Sequence, residues 1–405
     1  MQMRKIDLNN FQVARSETAR DINRRIVLNL IRSQQPISRA DLARHSGLQR
    51  STVSAITEQL INERWVTEGA NGQVLRGRRP RFLHLNRERV GIIGINIRPA
   101  VTTVALSDID AQFSAQESMP TARNPKLFVE DLIPRLRKLI KMRPEVTCEG
   151  IGISLPGRVD RESQRLVFAP NLAWSDFDLK GPIEKATGLR VELENAANSC
   201  ALAEVWFGRH AQGVSNLIAL TVSEGIGIGL ILNHQLVQGS TGVAGEFGHT
   251  TIVQDGLECS CGNHGCWEMY ASNLAAVRYY VESTTRSRPS QQTRSNAQEL
   301  NFENLLRLTE QGDQKAVQAI DQMANYLGRG IALLVTGLAP DVIVVVGEVT
   351  KLWSQVGPAI SRAIEMHSFT GAKTRIVATD ASAQPRLRGT IALVLQKHFG
   401  APAVA

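Results

Sequence analysis

The chain has 405 residues, 43% of them apolar and 21% charged, a composition typical of a water-soluble globular protein. This length predicts two or three domains rather than one. No segment approaches the roughly 18 consecutive apolar residues of a membrane-spanning helix. Residues 1–18 lack the apolar core of a signal peptide. We therefore expect a cytoplasmic protein without a membrane partner.

The net charge of +8 is concentrated at one end of the chain. Residues 1–89 carry 17 Lys/Arg and 8 Asp/Glu, a net charge of +9, whereas residues 90–405 carry 29 and 30, a net charge of −1. This asymmetry favours a polyanionic partner for the N-terminal end, nucleic acid above all. A solvated basic face is the alternative that charge alone leaves open.

The basic segment begins with a predicted helix over residues 21–32. Ile22, Ile26 and Leu30 recur at helical spacing and predict its buried face, with the arginines on the other side. Pro36 predicts the end of this helix, because proline cannot continue the helical hydrogen-bond pattern.

Two further helices follow in the order of a helix-turn-helix motif. Ser38 and Asp41 predict the capped start of a short helix, and Gly47 predicts a tight turn at its end. The third helix, predicted over residues 49–62, places polar side chains near its start where they can reach base edges in DNA. Its candidate DNA contacts are Gln49, Arg50, Ser51, Thr52 and Ser54.

A basic hairpin is predicted after the third helix. Short strands at residues 65–67 and 81–86 flank a Gly/Asn turn and an arginine-rich segment. This pattern is typical of a winged helix-turn-helix, whose wing enters a minor groove or contacts phosphates. A three-helix module for dimerisation or protein binding is the alternative. The candidate wing contacts are Arg76, Arg78, Arg79 and Arg81.

The segment ISRADLARHSGLQRSTVSAITEQLINERWV, followed by GRRP, resembles the DNA-binding half of the ROK family (repressors, open reading frames, kinases). The resemblance continues to near the C-terminus and covers most of the chain. It implies a bacterial regulator of sugar metabolism that binds a double-stranded DNA operator as a homodimer or a higher homo-oligomer.

From residue 90 onward, apolar strand-like runs alternate with helical stretches, and this alternation predicts an α/β architecture. The order resembles the two-lobed, actin-like ATPase fold of ROK sugar kinases. The predicted domains are a winged helix-turn-helix at residues 1–85 and a body at residues 86–405, with a small lobe at about 86–195 plus the C-terminal helix and a large lobe at about 196–380.

Four potential metal ligands, His249, Cys259, Cys261 and Cys266, lie close together in the sequence. In a cytosolic protein such clustering favours a metal over disulfides, and three thiolates with one imidazole suit a closed tetrahedral Zn²⁺ site. The spacing matches the zinc motif of the ROK family at every position. That motif does not use His264, which we leave out. Reduced free thiols and a redox switch are the alternatives.

The resemblance also implies a sugar site beside the zinc motif. Asn195, Glu246, His249 and Glu268 match family residues that contact sugar hydroxyls. Carboxylates that accept hydrogen bonds from neighbouring hydroxyls are suited to a polyol site. His249 is expected to bind zinc through one ring nitrogen and to face the sugar with the other.

Three regions depart from the active kinases of the family. The catalytic turn carries Ala196 where those enzymes have the aspartate that acts as base, and alanine accepts no proton. In the first phosphate loop, Asn96 replaces an aspartate, and Arg98 and Pro99 replace glycines. Glu348 replaces a glycine of the distal Gly-Gly pair. These departures predict a body that does not transfer phosphate.

We therefore predict a transcriptional regulator of carbohydrate metabolism, a repressor above all, whose zinc-stabilised and catalytically impaired body binds a sugar or sugar phosphate. An active ATP-dependent sugar kinase with a DNA-binding appendage is the second hypothesis, and Ala196 argues against it. A third is a regulator whose body no longer binds sugar and acts through a protein partner.

Overall fold

The computed structural model describes six segments of the chain, which contain every helix and strand reported below. Within these segments, no helix is both long and apolar enough to cross a membrane. The six segments are residues 16–71, 81–160, 162–285, 300–368, 373–380 and 382–400.

Three helices and a three-stranded antiparallel sheet form the N-terminal region. The second helix begins as predicted, because the Ser38 hydroxyl accepts a hydrogen bond from the backbone N–H of Asp41 at 3.2 Å. It ends at Gly47, whose φ of 70° is a left-handed conformation that glycine adopts without strain. The elements are α1 (Ser16–Gln34), β1 (Ile37–Ser38), α2 (Arg39–Ser46), α3 (Arg50–Asn62), β2 (Val66–Asn71) and β3 (Arg81–Leu85), with sheet order β1-β3-β2.

Helix α1 is present as predicted, but its predicted buried face is wrong. Ile26 is 40% exposed, whereas Val27, Leu28 and Ile31 are fully buried. The spacing rule failed because apolar side chains fill five of the six positions 26–31, so that two overlapping stripes fit the helical period.

The small lobe is built on a five-stranded mixed sheet. Its strands are β4 (Val90–Ile97), β5 (Val101–Ser107), β6 (Phe113–Pro120), β7 (Thr147–Leu155) and β11 (Val191–Asn195). A separate sheet contains β8 (Arg158–Val159), β9 (Leu166–Ala169) and β10 (Trp174–Phe177). The helices of this lobe are α4 (Pro125–Met142) and α5 (Lys180–Thr187). Strands β4, β7 and β11 are parallel. Their carboxyl ends, at Ile97, Leu155 and Asn195, therefore lie along one edge of the sheet, where ligands bind in open α/β folds.

The large lobe repeats this plan with a second five-stranded sheet of order β14-β13-β12-β15-β16. The strands are β12 (Leu217–Val222), β13 (Ile226–Leu232), β14 (Gln235–Leu236), β15 (Val342–Val346) and β16 (Arg375–Ala378), and the helices are α7 (Glu268–Ala271), α8 (Asn273–Thr285), α9 (Phe302–Glu310), α10 (Gln314–Leu338) and α11 (Trp353–His367). Strands β12, β15 and β16 are parallel, and β13 forms an antiparallel hairpin with β12.

Two helices, α6 (Ala196–Phe207) and α12 (Pro385–Phe399), pack against each other between the lobes. Helix α6 lies on the large-lobe strands β12 and β13, whereas α12 lies on the small-lobe strands β4 and β7. The two helices meet where Gly389 faces the backbone of Ser199, and a Cβ at Gly389 would lie only 2.0 Å from the Ser199 carbonyl oxygen. Glycine is required there because no side chain fits between the backbones.

A buried apolar cluster joins the N-terminal region to the body. It combines Ile31 of α1 with Ile92 of β4 and Phe399 of α12. Leu85 and Val90 both belong to this cluster, so the predicted boundary near residue 85 lies inside it. The predicted order, a helix-turn-helix region followed by a two-lobed α/β body, is confirmed.

Candidate metal cluster and ligand cleft

The four predicted metal ligands lie together in one cluster. The donor atoms of His249, Cys259, Cys261 and Cys266 are all within 4.8 Å of one another. The sulfur atoms of Cys261 and Cys266 are 3.7 Å apart, and the Cys259 sulfur is 3.5 Å from Nδ1 of His249. Tetrahedral bonds of about 2.0–2.3 Å to a central Zn²⁺ place the donors roughly 3.3–3.8 Å apart. The cluster therefore has the donor set for such an ion, and these two distances match its spacing, while His264 is exposed and lies outside the cluster.

Short-range backbone contacts shape the loop that carries the cluster. The 3₁₀ turn Glu246–His249 presents the imidazole, and a bridge between Thr251 and Cys266 closes the loop that follows. Gly265 has a φ of 72°, and a Cβ there would lie 1.8 Å from the Val253 carbonyl oxygen. The glycine next to Cys266 is thus a geometric requirement of the loop.

The same imidazole faces a cleft of about 590 Å³ between the lobes. Nδ1 of His249 lies 3.5 Å from Oε1 of Glu268, and Nε2 lies 3.8 Å from Oε2 of Glu246. The Cys259 thiol donates to Oε1 of Glu268 at 3.2 Å, so this carboxylate lies between the cluster and the cleft. All four predicted sugar contacts, including Asn195, line the cleft.

The acidic side chains give the cleft a polar, hydrogen-bonding wall. Burial raises the pKa of the Glu246 carboxyl; His249 opposes this shift and the neighbouring Glu268 adds to it. Two carboxylates and one imidazole that face the same cavity can accept and donate several hydrogen bonds at once, which is what a ligand with neighbouring hydroxyl groups requires.

Asn195 is held in place by backbone contacts on both sides of its amide. Its Nδ2 donates to the Gly157 carbonyl oxygen at 2.7 Å, and its Oδ1 accepts from the Ala197 N–H at 2.7 Å. The side chain therefore caps α6. One N–H and one oxygen lone pair remain for a ligand in the cleft.

Glu194, which sequence reasoning missed, links the lobes beneath this site. Its carboxylate is 6% exposed and accepts from the Asn195 N–H at 2.8 Å and from Nδ2 of Asn198 at 2.9 Å. It also accepts from Nε2 of Gln238, a large-lobe residue, at 2.7 Å. The backbone carbonyl of Gln238 in turn accepts a hydrogen bond from the backbone N–H of Ala244, two residues before the 3₁₀ turn. The sole signal in the sequence was an acidic residue directly before Asn195.

Arg98 lines the cleft and also a second cavity of about 320 Å³, where it contacts Glu348. Nη2 of Arg98 donates to Oε1 of Glu348 at 3.1 Å and lies 3.5 Å from Oε1 of Glu224. Arg98 follows β4 of the small lobe and both glutamates belong to the large lobe, so the contacts form an interlobe ion bridge. Burial would raise the pKa of Glu348, but Arg98 and neighbouring donors hold that pKa below its usual value.

The predicted DNA contacts that the structure describes lie at the start of α3 and on β3. Arg81 is exposed and pairs with Glu68 at 2.8 Å. Gln49, Arg50 and Ser51 are exposed, and Thr52 and Ser54 are half-buried. Arg76, Arg78 and Arg79 lie outside the described residues.

Two family models match successive parts of the chain. The IclR helix-turn-helix domain matches residues 26–69, and the ROK family matches residues 92–397. The second match covers about three quarters of the sequence. The chain belongs to the ROK family. The resemblance inferred from the sequence motifs is confirmed.

Relatives of this ROK protein include regulators and kinases. The xylose repressor of Bacillus subtilis (strain 168) is 33% identical over 335 residues, which cover 82% of this chain and 83% of the repressor. The crystal structure of a ROK family transcriptional regulator, a homolog of the E. coli MLC protein, has a TM-score of 0.82 at 26% identity and covers 94% of this chain and 98% of its own. A ROK family glucokinase from Streptomyces griseus, crystallised with glucose and AMPPNP, has a TM-score of 0.67 at 28% identity and covers 76% of this chain and 99% of its own.

Proposed function

We propose that this protein is a DNA-binding transcriptional repressor of carbohydrate metabolism and that a sugar bound in the cleft controls its DNA binding. One observation carries the proposal. Asn195, Glu246, His249 and Glu268 line one cleft in a chain that also carries a helix-turn-helix, and an ion bridge between the lobes joins Arg98 to Glu224 and Glu348. In the proposed function, this bridge takes the place of the nucleotide phosphates that a kinase would bind. The similarity to a xylose repressor over most of both chains supports the repressor class. A bound sugar changes DNA affinity only if it favours one arrangement of the domains over another.

We place one structural Zn²⁺ in the cluster of His249, Cys259, Cys261 and Cys266. Four protein donors complete a tetrahedral coordination sphere, so the ion would leave no position for a substrate. Its role would be to fix the loop and hold the imidazole toward the cleft.

The proposed sugar contacts are Asn195, Glu246, His249 and Glu268, which line one cleft. Xylose is the first ligand to test because of the xylose repressor among the relatives, and sugar phosphates form the second class. A protein partner that binds the body in place of a sugar is the alternative effector.

In the proposed DNA complex, the start of α3 enters the major groove and the hairpin arginines contact phosphates. A homodimer would place two such domains on two half-sites. Substitution of Arg50 by alanine should lower the affinity of the protein for its DNA operator. Substitution of a hairpin arginine should reduce the dependence of this affinity on salt concentration. The proposed contacts are Gln49, Arg50, Ser51, Thr52, Ser54, Arg76, Arg78, Arg79 and Arg81, in a domain of residues 1–85 ahead of a body of residues 86–405.

The proposed body does not transfer phosphate. Ala196 begins α6 at the wall of the cleft and offers no base, and loss of a general base alone costs roughly 10²–10⁴-fold in rate. The second candidate is an active kinase with a DNA-binding domain, favoured by the structural similarity to a glucokinase crystallised with glucose and AMPPNP. Formation of sugar phosphate from ATP by the purified protein would establish that candidate instead.

A thermal-shift panel on the zinc-loaded protein tests the effector site directly. The panel contains D-xylose, D-glucose, N-acetyl-D-glucosamine and their phosphates. A ligand at 100 times its dissociation constant stabilises the folded state by about 2.7 kcal/mol. We expect one sugar to raise the melting temperature of the wild type and to leave Glu268→Gln unchanged. The absence of any shift would rule out a sugar from this panel and favour the protein partner.

A further inference from the structure

The first helix of the DNA-binding domain donates hydrogen bonds to the ends of the two interlobe helices. Nη1 of Arg25 donates to the Gly400 carbonyl oxygen at 2.6 Å, and Nδ2 of Asn29 donates to the Phe399 carbonyl oxygen at 2.7 Å. Both acceptors belong to the C-terminal end of α12, where the last carbonyls have no partner within the helix. The donors are four residues apart and therefore lie on one face of α1.

Arg32 continues this polar face and contacts the other interlobe helix. Its Nη2 donates to the Trp206 carbonyl oxygen at 2.9 Å, at the C-terminal end of α6. Its guanidinium lies 4.1 Å from the centre of the Trp206 ring and 5.8 Å from that of Phe399. A cation at a helix C-terminus is also favoured by the helix dipole. Residues 25, 29 and 32 thus form one stripe that bridges α6 and α12.

The opposite ends of these two helices line the ligand cleft. Helix α6 begins at Ala196, and Arg386 lies in the first turn of α12; both residues line the cleft. At a rise of 1.5 Å per residue, α6 is about 18 Å long and α12 about 22 Å long. Each helix therefore connects the cleft to the DNA-binding domain as one rigid rod.

The packing of the rods makes their far ends sensitive to the angle between the lobes. Helix α6 rests on the large-lobe sheet and α12 on the small-lobe sheet, and they meet at Ser199 and Gly389. Their C-terminal ends lie seven to eleven residues beyond this contact, or about 10–17 Å. A rotation of about 10° at the contact would move such an end by roughly 2–3 Å, which is enough to break a hydrogen bond.

We propose that Arg25, Asn29 and Arg32 are positioning residues that transmit occupancy of the cleft to the DNA-binding domain. The inference rests on the proposed function. The three donors lie on one helix, α1, whereas their acceptors lie on two helices, α6 and α12. A change in the angle between the lobes must therefore either rotate α1 or break some of the hydrogen bonds that the stripe donates. The stripe therefore couples the orientation of the recognition helix α3, which packs on α1, to ligand binding in the cleft.

Double-stranded DNA selected by the wild-type protein from a random pool, together with the sugar panel above, provides the test. The coupling factor is the ratio of the dissociation constants for this DNA with and without saturating sugar. We expect about 5- to 150-fold for the wild type, the usual range of such couplings. Arg32→Ala and the double variant Arg25→Ala/Asn29→Ala should lower the coupling factor below about threefold. Arg32→Lys should retain an intermediate value because it keeps the charge and a hydrogen-bond donor group but loses the planar guanidinium.

Three measurements separate coupling from mere folding. Arg32→Ala should bind sugar in the absence of DNA within about threefold of the wild type, since Arg32 does not line the cleft. It should also bind the selected DNA without sugar. Arg20→Ala is the matched control, because Arg20 lies on the same helix but hydrogen-bonds Gln59 of its own domain; it should keep the wild-type factor.

A wild-type coupling factor in both stripe variants would overturn the inference and leave the proposed function intact. Loss of DNA binding by Arg32→Lys in the absence of sugar would also overturn the inference, because the stripe would then be needed only to keep the DNA-binding domain folded. If no sugar changes the DNA affinity of the wild type, sugar control itself is wrong and the inference falls with it.

Discussion

Two groups of side chains between the lobes differ in what they contact. The proposed sugar contacts Glu246, His249 and Glu268 are called the sugar-facing end, and the ion bridge of Arg98 with Glu224 and Glu348 is called the phosphate-facing end, after the proposed function. At the first end, Glu246, His249 and Glu268 face the cavity and are held from behind by the cysteine cluster. At the second end, Arg98 contacts Glu348 and a second glutamate across the lobes. Under the proposed function, the first end would hold the sugar, and the ion bridge at the second end would take the place of nucleotide phosphates.

The largest effect should follow from removing the proposed Zn²⁺, which would disable the sugar-facing end alone. We expect Cys261→Ser, or treatment with a strong chelator, to release the bound zinc and to weaken sugar binding by about 100-fold, because loss of a metal site removes the support of His249. Zinc content and the sugar-induced thermal shift measure the two effects. Cys148→Ser is the control, since Cys148 lies outside the cluster. A chelated protein with wild-type sugar affinity would show that the cluster does not support the cleft.

The second largest effect should come from the interlobe contact between Glu194 and Gln238. In Gln238→Glu two carboxylates would meet where a hydrogen bond of 2.7 Å now forms, and we expect sugar affinity at pH 7 to fall by about tenfold. Because two carboxylates at one site raise the pKa of one of them, affinity should partly recover as the pH is lowered toward 5 and a shared proton restores the contact.

Exchanging the two residues provides the control for this prediction. The double variant Glu194→Gln/Gln238→Glu restores one donor and one acceptor, and it should recover most of the lost affinity at pH 7. Gln235→Glu makes the same change at an exposed position three residues earlier and should bind sugar normally. If Gln238→Glu binds as tightly as the wild type at every pH, the contact does not shape the sugar-facing end.

Whether a feature could be predicted from the sequence depended on how many positions along the chain separate its residues. The metal cluster was predictable because its ligands lie within 18 consecutive positions. The first residues of helices were predictable because capping residues are local signals. The contacts Glu194–Gln238 and Arg98–Glu348 span 44 and 250 positions and depend on how the lobes pack. In the sequence, Arg98 and Glu348 therefore look like two separate replacements of kinase residues, although their side chains contact each other in the structure.

The basic N-terminal segment illustrates the same limit. Its charge correctly suggested a region distinct from the body, but charge does not show where a side chain points. Arg25 and Arg32 contribute to the excess of +9, yet both contact backbone carbonyls of the body. The buried face of α1 shows a related limit. Its local pattern fits two apolar stripes, and packing on its own domain and on the body decides which stripe is buried.

A smaller effect is expected from breaking the ion bridge at the phosphate-facing end. The groups of the bridge are 33–41% exposed, and exposed ion pairs contribute only about 0.2–1 kcal/mol each. Arg98→Ala should therefore change sugar affinity by about two- to fivefold, and the wild-type affinity should approach that of the variant as salt is raised. Titrations at low and high salt measure this, with Arg123→Ala, an exposed arginine of the same lobe, as the control. A hundredfold loss would mean that Arg98 itself contacts the sugar.

Under the proposed function, an aspartate introduced at position 196 alone should give no gain of activity. Ala196→Asp would place a carboxylate at the start of α6, on the wall of the cleft, but phosphoryl transfer also needs a cradle and Mg²⁺ for the nucleotide phosphates. Arg98 and Glu348 pair with each other at the phosphate-facing end, and Pro99 has no backbone N–H to donate to a phosphate. An assay for ATP-dependent sugar phosphate should therefore give the same blank for Ala196→Asp as for the wild type. Measurable turnover by this single variant would show that the phosphate-facing end still admits a nucleotide, and the contrast between the two ends would reduce to the loss of one base.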